Sequence, residues 1–191
     1  MLATASPRNA EYLRGLGAED VYDYHRPAAE VGAEIRKRTG NGLRVAWDCT
    51  GDGAELCGHA LSDDAGSDGG PRYGSIIPAD AEVLRRANPA VQGPTFTLGY
   101  EVIGEAFAFI MPSTDADGNP VKQRVEFPAK PDEFEFAVKF WDLARELLAK
   151  GLVKTVKPIV NRGGAGLEGV LVGLEELKNG KVSAGKLVYT L

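Results

Sequence analysis

The sequence predicts an α/β fold, a parallel sheet with flanking helices, and three observations carry that expectation. Short β-rich runs alternate with amphipathic stretches of helical period, the pattern that βαβ units leave in a sequence. Several of the helical stretches are bounded by capping and stop residues. The chain has 191 residues, 43% hydrophobic and 26% charged. That length buries a real core, excludes two large domains, and shows no linker between independent cores.

Strands are expected over 2–5, 21–24, 43–49, 73–77, 156–160 and 186–191, and helices over 7–16, 28–39, 53–61, 133–150 and 167–179. The first helix follows Ser6, an N-cap type, and opens on Pro7, whose fixed φ suits the first helical position; Gly17 stops it. A Gly/Asp-rich stretch over 62–71 reads as a surface loop before the fourth strand. The segment 78–131 is less regular: it holds the turn-rich PSTDADGNP and a β-like run over 96–103, and is expected to supply loops or added strands. Asp132 and Glu135 stand at capping-box spacing ahead of an apolar stripe of Ala137, Phe140, Trp141, Ala144, Leu147 and Leu148. In the last helix Leu167, Val170, Leu171, Leu174 and Leu177 share a face that runs toward Gly180.

Charge narrows the function classes. The chain carries 22 basic and 27 acidic residues, a net −5, so no broad electrostatic footprint for nucleic acid is expected. Apolar runs are far shorter than the roughly 18 residues of a spanning helix, and MLATASPRN has neither a basic leader nor an apolar signal core. A cytoplasmic protein with no membrane partner is expected. Cys49 and Cys57 have no His or Cys at metal-ligand spacing and read as buried small hydrophobes, with no metal site.

Motifs with chemistry are few. A literal G-x-G-x-x-G stands at Gly164, Gly166 and Gly169, but the carboxylate that a dinucleotide fingerprint needs about 20 residues on falls at Tyr189. A glycine-eased helix start is the better reading. Gly51 and Gly53 form a near miss that reads as a tight turn after a strand. His25 and His59 are far apart in sequence and read as surface residues, and no nucleophile elbow, H-E-x-x-H or P-loop occurs. Asp115, Asp117 and Gly118 lack the bidentate Glu of a calcium loop and read as a turn. A sharper signal lies after the first strand, where Ser6 and Arg8 form a candidate phosphate seat. Arg8 in place of an acid suits a 2′-phosphorylated ribose, hence NADPH over NADH; equally, Ser6 only caps and Arg8 is solvated.

Taken in order, ATASPRN, LGAEDVYDY, VAWDCTG, RYGSIIP, LGYEVIGEAF, FWDLARELLAKG and GLEGVLVGLEELKNGKVSAGKLVY resemble the C-terminal part of the zinc-independent medium-chain dehydrogenase/reductase superfamily, trans-acting enoyl reductase type. The resemblance implies a Rossmann-like parallel sheet of order 3-2-1-4-5-6, represented from its second strand onward and without its first strand and the N-terminal catalytic domain. Residues 1–191 are then a partial NAD(P)-binding domain closed by a C-terminal helix-strand-helix-strand, with 78–131 a loop-rich insertion. An absent strand would leave its neighbours with unpaired backbone groups, to be met by another chain or by closure of the sheet.

The same resemblance makes Ser6 and Arg8 the 2′-phosphate contacts and places Tyr24 near the adenosine phosphate. It puts Thr50 by the cofactor ribose, the backbone of Ile76 and Ile77 at the nicotinamide carboxamide, and Lys181 over the phosphate. Residues 98–107 would line the acyl cleft or form an edge strand. The implied activity is reduction of an α,β-unsaturated acyl thioester, carried by a polyketide synthase, by hydride from NADPH at the β-carbon and protonation of the enolate at the α-carbon. The missing portion tells against stand-alone activity. The rival expectation is a non-catalytic structural or interaction domain that self-associates through an exposed sheet edge.

Overall fold

The computed structural model describes residues 1–66 and 69–191; Ser67 and Asp68, within the loop expected over 62–71, lie outside the described residues. The fold is α/β, Rossmann-like in its parallel strands flanked by helices, and the chain divides into two units. One comprises Met1–His25 with Leu147–Leu191, the other Arg26–Glu146.

In the first unit β1 (Leu2–Thr4) pairs in parallel with β2 (Asp20–Tyr22), Ala3 opposite Val21. The crossover is a 3₁₀ turn, Pro7–Asn9, continued as α1 (Ala10–Gly15). Gly17 ends it at φ +108°, a left-handed backbone that glycine adopts without Cβ strain. Ser6 occupies the N-cap position but its hydroxyl makes no capping bond. In the same unit β8 (Pro158–Val160) pairs in parallel with β9 (Lys186–Val188) across α6 (Gly166–Lys178).

The second unit holds a parallel sheet of order β3 (Val45–Asp48), β4 (Arg72–Ser75), β5 (Gln92–Phe96). Its helices are α2 (Ala28–Arg38), α3 (Ala54–Ala60) and α4 (Ala81–Ala87). Glycines set the helix contacts. A Cβ at Gly32 of α2 would fall on His59 of α3, and one at Gly58 of α3 would sit 2.6 Å from the Ala87 Cβ of α4. Small residues therefore allow close approach that a larger side chain would block. The core is Ala54, Leu61, Tyr73, Leu84 and Val91, and each fully buried large side chain contributes about 1.5–3 kcal/mol by leaving water. Asn88, also buried, donates through Nδ2 to the carbonyls of Gly58, Leu61 and Ser62, so the backbone left open where α3 ends is satisfied.

After β5 comes a short 3₁₀ segment, Gly99–Ile103, then an antiparallel hairpin of β6 (Phe107–Thr114) and β7 (Pro120–Phe127), then α5 (Pro131–Ala149). Asp115 closes the hairpin, accepting from the amides of Asp117 and Asn119, with Gly118 at φ +85°. Tyr100, Phe107, Phe109 and Phe127 cluster on it, the Phe107 and Phe127 rings stacked at 4.9 Å.

All six expected strands and five expected helices form, with ends shifted by a few residues. The differences have physical causes. The β-like run over 96–103 is only the end of β5, because Gly99 and Gly104, the latter at φ +76°, turn the chain into a 3₁₀ segment. Helix α5 starts at Pro131, which takes Asp132 into the first turn, so Asp132 is not the cap. Cys49, read as buried, is exposed in the turn after β3, and Cys57 is half-buried. Of the apolar stripe on α5 only Ala137 is buried, while Trp141 is 64% exposed; on α6 Leu171 is 67% exposed. Apolar periodicity identified these helices without securing a cover for them.

Candidate functional site

The ordered polar centre of the second unit lies at the C-terminal end of β3. Asp48 is 6% exposed and takes five donated hydrogen bonds: from Thr50 N–H (2.7 Å), Thr50 Oγ1 (2.8 Å) and Gly51 N–H (3.1 Å) at Oδ1, and from Gly53 N–H and the Tyr73 hydroxyl (both 2.8 Å) at Oδ2. An aspartate two residues before Thr and three before Gly folds this way because its carboxylate satisfies the amides of the turn that follows. Burial alone would raise its carboxyl, but the bonds from Thr50, Tyr73 and Gly53 outweigh it and hold the group at about 2. Burial, with the Asp48 charge added, pushes the Cys57 thiol up to about 12, so it stays protonated at neutral pH. Burial and then the bond to Asp48 likewise raise the Tyr73 hydroxyl, which remains a donor.

The next loop meets this turn. Gly51 has φ +85°, and a Cβ there would stand 3.2 Å from the Ile77 side chain, so both the backbone and the close approach require glycine. The Ile76 N–H donates to the Asp48 carbonyl (3.2 Å) and the Ser75 hydroxyl to the Ile77 carbonyl (2.7 Å). Thr50, Ile76 and Ile77 are thus brought together, exposed at the C-terminal ends of neighbouring strands. The Ile76 carbonyl and Ile77 N–H have no partner among the described residues.

A second cluster forms in the first unit. The half-buried Ser6 hydroxyl lies 3.3 Å from the hydroxyl of Tyr24, which stacks on His25 at 4.2 Å; His25 in turn meets Asp23 at 2.6 Å. Arg8 is exposed on the turn between, without an ion-pair partner among the described residues. Asn9 donates to the Ser183 hydroxyl (3.0 Å), so the segment of Lys181, also exposed, is tied to the turn of Arg8. Ser6, Tyr24 and the Arg8 turn are therefore one local group with the 181–183 segment beside it.

The literal G-x-G-x-x-G has another use. Gly164 and Gly166 take φ +127° and +72°, and a Cβ at Gly169 would fall on the Gly164 carbonyl, one at Gly173 on the Tyr189 ring. The glycines let the turn fold onto α6 and the Tyr189 ring lie across it, with its hydroxyl donating to the Arg162 carbonyl (3.1 Å). One residue escaped the sequence reading, Asp48, whose signal was the D-x-T-G spacing; His25, read from the sequence as a surface residue, is exposed.

No helix among the described residues is long and apolar enough to cross a membrane. Parallel strands flanked by helices place the chain among α/β proteins of Rossmann-like fold. Within that class, the chain is homologous over its full length to trans-enoyl reductases. It is 35% identical to the trans-enoyl reductase of Alternaria alternata across 100% of this chain and 48% of that one. The values are 38%, 100% and 45% for the protein of Chaetomium globosum, and 36%, 100% and 44% for that of Hapsidospora irregularis. The chain spans about half the length of the curated relatives it matches. No family model matches it.

Proposed function

We propose that this chain is the cofactor-binding portion of an NADPH-dependent enoyl reductase of the zinc-independent medium-chain type, acting on an α,β-unsaturated acyl thioester carried by a polyketide synthase. The observation that carries the reading is the full-length homology to trans-enoyl reductases. The pairing supports it: β2-β1 and β3-β4-β5 match the neighbours 3-2 and 4-5-6 of the doubly wound order.

The residues fit the group. Two hydroxyls, of Ser6 and Tyr24, beside an unpaired guanidinium suit a phosphomonoester, with Lys181 adding a second cation. The Ile76 carbonyl and Ile77 N–H offer an acceptor and a donor side by side, the complement of a carboxamide, and Thr50 offers a hydroxyl to a ribose. Bound there, a reduced nicotinamide would supply hydride to the β-carbon of the substrate. The chain's own part is to bind and orient, and no described side chain is assigned a proton transfer.

Titrating the full chain with NADPH and following nicotinamide fluorescence tests the reading. Saturation below millimolar is expected, and a flat response up to millimolar, equivalent to about −4 kcal/mol, overturns autonomous binding. Arg8→Ala is expected to weaken NADPH about tenfold to a hundredfold and to leave NADH unchanged, because only the former carries the phosphate the guanidinium would meet.

One observation favours a second reading, that of a structural or interaction domain. The outer strand β3 bares Val45 and Trp47, and α5 and α6 each expose an apolar face. Light scattering coupled to size exclusion tests it. Self-association through these surfaces gives a concentration-dependent mass, and a compact monomer at all concentrations rules it out.

A further inference from the structure

The amides of Thr50, Gly51 and Gly53 and the Thr50 hydroxyl converge on one buried side chain, and that convergence has a consequence for ligand recognition. We infer that Asp48 is the positioning residue of this site: backed by Tyr73, it fixes the turn Thr50 to Gly53 and commits the Thr50 hydroxyl hydrogen inward, so that Thr50 faces a ligand hydroxyl as an acceptor. The inference rests on the cofactor reading above and deepens it.

The geometry follows from hydrogen counting. Thr50 Oγ1 has one hydrogen and two lone pairs. The hydrogen goes to Asp48 Oδ1 at 2.8 Å, and the Asp52 amide approaches the oxygen at 3.4 Å, too long to hold a lone pair firmly. Thr50 is exposed, so what it shows outward is acceptor capacity. A ribose hydroxyl can donate to it; a group with only acceptors cannot. Asp48 itself touches no solvent-side ligand, because Oδ2 is occupied by Gly53 and Tyr73. The Tyr73 ring is fully buried in the core, so the carboxylate is held from behind by a side chain that cannot swing away.

The experiment uses the full chain in two arms. Without ligand, amide hydrogen exchange in Asp48→Asn is expected to speed up at least about tenfold at Thr50, Gly51 and Gly53, because the amide carries no charge and turns one of the two accepting oxygens into a donor, while β4 amides keep their protection. With ligand, the same variant is expected to weaken NADPH and NADH alike, each by about tenfold, since the group lost meets a ribose and not the 2′-phosphate. Arg8→Ala separates the two cofactors and so serves as the contrast. Thr50→Ser is expected to keep affinity, and Thr50→Val to lose it while the Gly51 and Gly53 amides keep their protection; affinity lost from an intact turn is a readout that a purely structural role would not produce. Unchanged exchange in Asp48→Asn overturns the inference, as does a loosened turn with unchanged affinity. A wild-type chain that binds neither cofactor overturns the cofactor reading, and the exchange arm then decides the hold of Asp48 on the turn.

Discussion

Asp48→Ala is expected to lose about 3–4 kcal/mol of stability in the second unit and to lower its thermal midpoint by roughly 10 °C. The cost comes from what is left behind and not from the atoms removed. The Tyr73 hydroxyl sits in the core, on a fully buried residue, and would keep a donor with no acceptor; the amides of Thr50, Gly51 and Gly53 would lose theirs at once. Each buried donor left unpaired costs about 1–3 kcal/mol, and the exposed ones recover part of theirs from water. Differential scanning calorimetry of the variant, with Tyr73→Phe alongside, measures the loss. Tyr73→Phe removes the orphaned donor together with its hydroxyl, so the double variant should be less damaged than the sum of the singles. Additive losses would show that the two groups do not share a bond.

The same carboxylate makes a pH signature. Its carboxyl stands at about 2 in the folded chain against an ordinary 3.8, so ionisation stabilises the fold. A lowered folded-state value contributes stability that is fully present above the unfolded value and disappears as pH falls through the folded one. Wild type is therefore expected to exceed Asp48→Asn by a constant margin above about pH 4, and that margin is expected to shrink by about 2 kcal/mol between pH 4 and pH 2. Urea unfolding of both proteins across that range measures it, and a margin independent of pH would contradict the depressed carboxyl.

What the sequence revealed and what it concealed divide along physical lines. Local signals worked where the decision is local: Pro7 and Gly17 bracket the first helical segment, and Asp115 to Gly118 make the turn. They failed where a residue's partner lies elsewhere. Ser6 is a cap by type and stands at the cap position, yet its hydroxyl turns to Tyr24, eighteen residues on. Asp48 has no helical or strand period to mark it, and its role depends on Tyr73, 25 residues away. The hairpin of β6 and β7 lies in the segment expected to supply loops or added strands, but its bounds were hidden because FAFIMPST lacks a clean alternation of apolar and polar residues and pairing between the two strands defines both. Helix α4, capped by Asp80 accepting from the Glu82 and Val83 amides, is only seven residues long and shows too little period to declare itself.

Gly169→Ala is the second large effect, and it decides what the G-x-G-x-x-G of this chain is for. A Cβ at position 169 would fall on the Gly164 carbonyl and 3.1 Å from the Tyr189 ring. The first obstacle is backbone and cannot rotate away, so the turn of residues 163–166 must move off α6 or the helix must shift. About 2–3 kcal/mol is the expected loss, equivalent to roughly 10–20 °C in the midpoint of the first unit. If these glycines served instead to bring backbone against a pyrophosphate, Ala at 169 would weaken cofactor binding more than it weakens the fold. Measuring both separates the two roles: a lowered midpoint with NADPH affinity unchanged below the transition assigns the motif to packing against Tyr189. A near-native midpoint with affinity lost assigns it to the ligand.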